Sequence, residues 1–160
     1  NTAVHIALSL IGIMAFWLGI MRIAEKSGLV QIISKILYPV TKFLFKDVKK
    51  DSPAVGDIAM SVTANALGLT NAATPIGLKV MKELQEENPN KEKATDAMCM
   101  FLGMNTAGFQ IIPATVIAVL VGAGASNPTE IILPTLIVTT LSFLTAIAAA
   151  IILRKIWREG

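Results

Sequence analysis

Two asparagines in an uncharged stretch, Asn65 and Asn71, are the first candidates for chemistry in this sequence. They lie in the run 58–78, which contains no Asp, Glu, Lys or Arg. An amide side chain can both donate and accept hydrogen bonds, so it can bind a polar solute. Thr74 followed by Pro75 is typical of a helix N-cap and a first helical residue, so a second half-helix should begin there. Its free N–H groups would then point into the same region.

Gly68 interrupts the same run, and a second polar group follows in the uncharged run 97–129. A run of this length is too long for one membrane span. Pro113 removes a backbone donor and frees the carbonyl of Phe109, so we expect the helix to break between Gly108 and this proline. The second group consists of Asn105, Thr106, Gln110, Pro113 and Thr115.

A helix break between Asn105 and Gln110 could direct both side chains at one point, and half-helix ends of this kind bind substrates in transporters. Two other readings stay open. The asparagines of the first group could only fix a turn, and Asn, Gln and Thr of the second could join helices by hydrogen bonds. The predicted substrate-binding residues are Asn65, Gly68, Asn71, Thr74, Pro75, Asn105, Thr106, Gln110 and Pro113.

Sequence motifs of enzymes are not found. The uncharged runs hold no carboxylate, and the chain has no zinc-binding His-Glu-x-x-His and no phosphate-binding glycine loop. The single Cys99 excludes an internal disulfide. We therefore expect no catalytic residues, no metal and no cofactor.

The charged residues are separated from long uncharged runs, and this separation indicates the class of protein. Of 160 residues 54% are hydrophobic and only 16% are charged, and the runs 1–21 and 131–153 are also free of charge. A helical span needs about 20 consecutive apolar residues. The sequence therefore predicts an all-α integral membrane protein and argues against a soluble domain, a disulfide scaffold or a nucleic-acid partner.

The expected elements form one membrane domain over 1–160. Apolar residues at helical spacing from Leu29 to Leu44, with lysines on another face, predict a helix that lies in the membrane interface. The predicted elements are a transmembrane helix at 1–27, an amphipathic interfacial helix at 29–46, a re-entrant hairpin at 53–85, a broken transmembrane helix at 91–122 and a transmembrane helix at 128–158.

The basic residues predict the topology. All 14 lie in 22–57, 79–96 and 154–160, and basic loops stay on the cytoplasmic side. The run 58–78 must then begin and end inside, which is why we expect a re-entrant hairpin there. The predicted location is the bacterial inner membrane, multi-pass, with a cytoplasmic C-terminus. A hairpin tip in lipid would leave backbone groups unpaired, so a partner is expected to cover it.

Three stretches carry a resemblance to a known family. Phe16-Trp17-Leu18-Gly19-Ile20-Met21-Arg22, Asn71-Ala72-Ala73-Thr74-Pro75-Ile76-Gly77 and Ile111-Ile112-Pro113-Ala114-Thr115 resemble the spore maturation protein A family, which belongs to the nucleoside-recognition or Gate domain group. The resemblance implies one set of hairpin, broken helix and spanning helix, which is half of a transport core. It departs at Leu120, where family members often have an arginine. Members usually have a further N-terminal segment, so a chain that opens at Asn1 is expected to be a fragment or part of a fused protein.

The resemblance implies a function and partners as well. We expect half of a membrane transport complex that moves a small polar solute, nucleoside-like or other. Its partner would be a spore maturation protein B-like half or a second copy of the chain, within the lipid bilayer. The alternative is a membrane scaffold of the cell or spore envelope that transports nothing.

Overall fold

A computed structural model describes residues 11–12, 15–16, 19–20, 22–23, 26–49 and 52–158. The predicted transmembrane helix at 1–27 lies largely outside this part. Every regular element in the described part is helical, so the all-α prediction is confirmed there. The α-helices are α1 (Leu29–Leu44), α2 (Pro53–Ala66), α3 (Thr70–Glu87), α4 (Asp96–Ala107), α5 (Ala114–Gly122) and α6 (Ile132–Arg158), with a 3-10 turn at Pro128–Ile131.

Helices α2 and α3 form a tight hairpin. Ser52 caps α2 by accepting a hydrogen bond from the Ala54 N–H at 3.2 Å, and Pro53 is the first helical residue. The chain reverses within three residues because Gly68 adopts the left-handed conformation, with φ of 72°, which glycine alone adopts without strain. The core lies between the hairpin and α4. Its buried members from the hairpin and α4 include Val55, Ile58, Val80, Leu84, Phe101 and Met104.

Helix α1 packs on α2 with a face that includes two polar side chains. Ser34 and Thr41 are buried, and their hydroxyls donate to carbonyls of the preceding turn, at 3.0 Å to Gln31 and 2.9 Å to Tyr38. The outward side of α1 carries an apolar stripe with i, i+3, i+4 spacing. This stripe consists of Leu29, Ile32, Ile36, Val40 and Phe43.

The second half of the chain has two breaks, one between α4 and α5 and one between α5 and the 3-10 turn that leads into α6. Helix α4 ends at Gly108, which has φ of 61°, and α5 begins after Pro113. Helix α6 packs along α4. Within the described part, one helix is long and apolar enough to cross a membrane, namely Pro128–Ile156 with 29 residues.

The structure corrects the predicted start of the second half-helix. Thr74 and Pro75 are not its N-cap and first residue, because α3 begins at Thr70 and Pro75 lies inside it. The turn at Gly68 completes the reversal immediately, so the helix restarts five residues earlier than the Thr-Pro pair indicated. Proline inside a helix removes only its own N–H bond, here to the carbonyl of Asn71, and the rest of the helix tolerates the loss.

Candidate functional site

The tip of the α2–α3 hairpin contacts the interruption between α4 and α5. The carbonyl of Ala66, at the end of α2, accepts hydrogen bonds from the N–H groups of Ile111 at 2.8 Å and Ile112 at 3.3 Å. A Cβ atom on Gly68 would lie 2.5 Å from the Ile112 carbonyl oxygen, so only glycine fits. The Ala66 carbonyl at the tip is therefore hydrogen-bonded within the chain itself. This weakens the expectation that a partner protein is needed to pair the backbone groups of the tip.

Two helix N-termini meet at this contact. The Cβ position of Gly68, two residues before α3, lies 3.3 Å from the backbone nitrogen of Ala114, the first residue of α5. A helix N-terminus carries about half a positive charge and N–H groups without intrahelical acceptors. Both ends therefore bring N–H donors near this contact, where the Ala114 N–H itself donates to the Ile112 carbonyl at 2.8 Å.

An amide pair lies beside the contact, one helical turn back from each break. Asn65 Nδ2, in the last turn of α2, donates to Asn105 Oδ1, in the last turn of α4, at 2.8 Å. Ser61, which is fully buried, adds a weaker donor to the same oxygen at 3.4 Å. Among the described residues, Asn65 Oδ1 and Asn105 Nδ2 have no further hydrogen-bond partner, so an acceptor and a donor remain for a ligand. Gly77 of α3 faces the Asn105 amide and leaves room beside it.

The interruption is also tied to α6. Thr139 Oγ1 accepts a hydrogen bond from the Gln110 N–H at 3.2 Å and donates to the Thr135 carbonyl at 2.8 Å. The rings of Phe109 and Phe143 pack beside it, with centroids 5.7 Å apart. Sequence reasoning missed Thr139 and Ser61. Their signal was available, since each is a hydroxyl in an uncharged run at helical spacing from another polar residue.

The predicted site residues do not all come together. Asn65, Gly68, Asn105 and Pro113 line the contact between the tip and the interruption, and Gln110 is held there by its backbone. Asn71 lies in the first turn of α3, and its side chain is outside the described part. Thr74, Pro75 and Thr106 are exposed on the outer surfaces of α3 and α4.

Comparisons with known proteins identify the domain that contains this contact. The family model described as Gate, nucleoside recognition, matches residues 7–124, which include both polar groups and both breaks. The chain belongs to the Gate family. It is 41% identical to spore maturation protein A of Bacillus subtilis (strain 168) over 145 residues, which cover 91% of this chain and 74% of that protein. No solved structure matches the chain.

The open end of the Gate hairpin carries an ion cluster. Lys79 Nζ of α3 lies 2.7 Å from Asp57 Oδ2 of α2 and 3.5 Å from Glu83 Oε1. Burial raises the pKa of Glu83, and the neighbouring Asp57 carboxylate raises it further. The cluster joins the two limbs at the end opposite the tip.

A second ion cluster gathers three separate segments of the Gate chain. Arg154, near the end of α6, pairs with Asp47 at 2.5 Å and with Asp96, at the start of α4, at 3.4 Å. The segment after α1, the start of α4 and the end of α6 therefore lie at one end of the molecule. Within the described part, no group of three or more His, Cys, Asp and Glu side chains is arranged to bind a metal ion.

Proposed function

We propose that this Gate chain is half of a membrane transport complex that binds a small polar solute between the hairpin tip and the α4–α5 interruption. One observation carries the proposal. Two helix breaks that are about 40 residues apart in sequence meet, with an amide pair beside them at 2.8 Å. Discontinuous helices in transporters place substrates at such ends, where N–H groups and unpaired carbonyls supply the contacts. The role is binding and passage, without covalent chemistry.

The positions of the ion clusters support a re-entrant hairpin. Asp47, Asp96 and Arg154 share one end of the molecule, and each lies in or beside one of the three basic segments. Basic segments remain cytoplasmic. Helix α2 has 14 residues and a length of about 21 Å, which is shorter than a bilayer core of about 30 Å. A hairpin that enters from the cytoplasm would end near the middle of the membrane.

Outward apolar surface supports burial in lipid. The stripe on α1 is exposed, and the polar residues Ser34 and Thr41 face inward. In a soluble protein a continuous apolar stripe of this kind faces the core. The candidate span on α6 is also apolar, like the stripe on α1. The part of its surface that does not pack on α4 faces outward. Both helices suit a hydrocarbon solvent.

The chemistry of the contact favours a solute rich in hydrogen-bond acceptors that also carries a donor. Two helix N-termini and the Asn105 amide nitrogen offer donors, and Asn65 Oδ1 offers an acceptor. A nucleoside has ring nitrogens, carbonyls and hydroxyls of this kind, and the family description is nucleoside recognition. We propose a nucleoside or a compound of similar polarity as the solute.

A second half would complete the site. Thr74 and Thr106 belong to the polar groups of the sequence but are exposed in the single chain. A complementary half, either a spore maturation protein B-like protein or a second copy, would cover them and close the solute path. We therefore propose an inner-membrane complex of two halves with cytoplasmic C-termini.

Solute-dependent thermal stability tests binding. The purified protein is heated with single members of a panel of nucleosides, nucleobases and amino acids, alone and after co-expression with the partner half. We expect one chemical class to raise the unfolding temperature of the parent and of Asn127→Ala, an exposed asparagine outside the site. Asn105→Ala should lose the shift. If no solute stabilises either form, the chain is an envelope scaffold.

Cysteine labelling tests the topology. In a Cys99→Ser background, single cysteines replace Glu86, in the last turn of α3, and Asn127, before α6. An impermeant maleimide added to intact cells should label the cysteine at 127 and spare the one at 86. Labelling of both from outside would mean that the hairpin crosses the membrane completely.

A further inference from the structure

A cavity of about 530 Å³ opens between the end of α1, α4 and the end of α6. None of its lining residues belongs to the α2–α3 hairpin. Its floor is apolar and its rim is basic. The floor consists of Phe43, Leu44, Met100 and Ile151, and the rim of Lys46, Arg154 and Lys155. The volume falls within the range of small-molecule sites, about 300–1,000 Å³.

The charges on the rim are not fully neutralised. Arg154 pairs with Asp47 and Asp96, so its guanidinium acts as part of the wall. Lys46 lies over the Phe43 ring at 4.1 Å, and Lys155 has no ion pair among the described residues. The two lysines carry +2 and Arg154 with its two carboxylates carries −1, so the net charge around the rim is +1. The rim therefore suits an anion.

The position of the cavity identifies the source of that anion. Lys155 comes one residue before the end of the candidate span Pro128–Ile156, and the end of a span is where lipid head groups would lie. Phe43 is also the last member of the outward apolar stripe on α1. The apolar floor is therefore continuous with a surface that suits lipid tails. The two lysines at the rim lie where the phosphate of a lipid bound on this floor would be.

We propose that this cavity binds an anionic phospholipid, with its phosphate on Lys46 and Lys155 and part of an acyl chain on Phe43, Met100 and Ile151. A basic pocket between helices on the cytoplasmic side is the arrangement that recognises anionic head groups. The lipid would hold α1 and α6 together beside the ion pair of Arg154. The proposal uses the membrane placement given above but does not depend on transport.

Lipid-dependent stability of the delipidated protein tests this site. The protein in neutral detergent is titrated with phosphatidylglycerol, phosphatidylcholine, sn-glycerol 3-phosphate or inorganic phosphate, with no solute present. We expect phosphatidylglycerol alone to raise the unfolding temperature saturably. Equal shifts from phosphatidylcholine would overturn the proposal, and a full shift from either soluble phosphate would replace the lipid with a free anion.

Matched charge variants locate the effect. Each lysine near a membrane surface contributes about 1 kcal/mol to anionic-lipid binding, a factor of about five, so K46Q/K155Q should weaken apparent phosphatidylglycerol affinity about thirtyfold. The control K82Q/K93Q removes the same charge from residues that do not line the cavity and should bind as the parent does. K46R/K155R keeps the charge and should also bind. If K46Q/K155Q binds phosphatidylglycerol as tightly as K82Q/K93Q does, the lipid does not bind in this cavity. If K46Q/K155Q does not fold, K155Q alone is compared with the same control.

Discussion

The carbonyl oxygen of Ala66 and the backbone nitrogen of Ile111 lie 2.8 Å apart, which joins the end of α2 to the interruption between α4 and α5. A helix end has carbonyls without intrahelical partners, and an interrupted helix has N–H groups in the same situation. The carbonyl at the end of α2 therefore pairs with N–H groups of the interruption. Irregular backbone within a membrane is stable only where such groups are paired or line a wet cavity.

Gly68→Ala tests this contact. A Cβ atom there would clash with the Ile112 carbonyl at 2.5 Å, and φ is 72°. We expect a loss of about 2–5 kcal/mol of stability, from backbone strain and forced displacement together. Gly124→Ala is the matched control, because Gly124 has φ of 77° and nothing within 4 Å of a Cβ. It should lose about 1–2 kcal/mol. If Gly68→Ala and Gly124→Ala lose equal stability in unfolding measurements, the hairpin tip is not in close contact with the α4–α5 interruption.

The amide pair should show energetic coupling. In a double-mutant cycle, Asn65→Ala and Asn105→Ala should interact by about 0.6 kcal/mol, and by no more than about 1.7, as polar pairs between membrane helices do. Asn65→Ala combined with Asn127→Ala should be additive within about 0.5 kcal/mol. Additivity in the first cycle would show that the hydrogen bond between Asn65 and Asn105 is absent in the membrane.

Thr139→Val should loosen the interruption. The methyl group keeps the shape but cannot accept the Gln110 N–H, so a donor is left without its partner at a cost of about 1–3 kcal/mol. Thr145→Val is the control, because the Thr145 hydroxyl donates only to the Leu141 carbonyl of its own helix. Urea unfolding of both variants decides the matter. A Thr145 variant as unstable as the Thr139 variant would contradict a specific clamp.

Much of this arrangement follows from residue types. Gly108 and Pro113 predict the interruption because one residue ends a helix and the other cannot continue it. The asparagines of the two polar groups predict one site, and Asn65 and Asn105 do meet. The start of α3 could not be predicted, because Gly68 alone would suffice for the reversal and Thr74-Pro75 offered a competing start. The charge pattern predicts that the segment 79–96 is cytoplasmic but does not predict the pairing of Lys79 with Asp57, because spacing within one segment carries no information on contact between helices.

The Glu83 cluster predicts a pH dependence. Burial, with Asp57 nearby, raises the pKa of Glu83 above its ordinary value of 4.5 in the folded protein, so folding favours the protonated form. The stability this gives is fully present below pH 4.5 and is lost as pH rises through the raised pKa. Melting temperature should therefore fall as pH rises from 4.5 through the raised pKa of Glu83. Glu83→Gln should flatten that profile, and the exposed Glu86→Gln should leave it as in the parent. A parental slope in the Glu83 variant would remove this group from the explanation.

Solute flux tests the central claim most directly. The complex is reconstituted into liposomes that contain phosphatidylglycerol, and exchange of a radiolabelled solute is measured, with the solute chosen as the class that stabilises the protein. The parent and Asn127→Ala should exchange it at the same rate. Asn65→Ala/Asn105→Ala, present at the same level and with intact assembly, should lose at least tenfold, since an amide contact to a ligand is worth about 1–3 kcal/mol. Equal exchange by all three would contradict a solute site at the meeting of the two helix breaks.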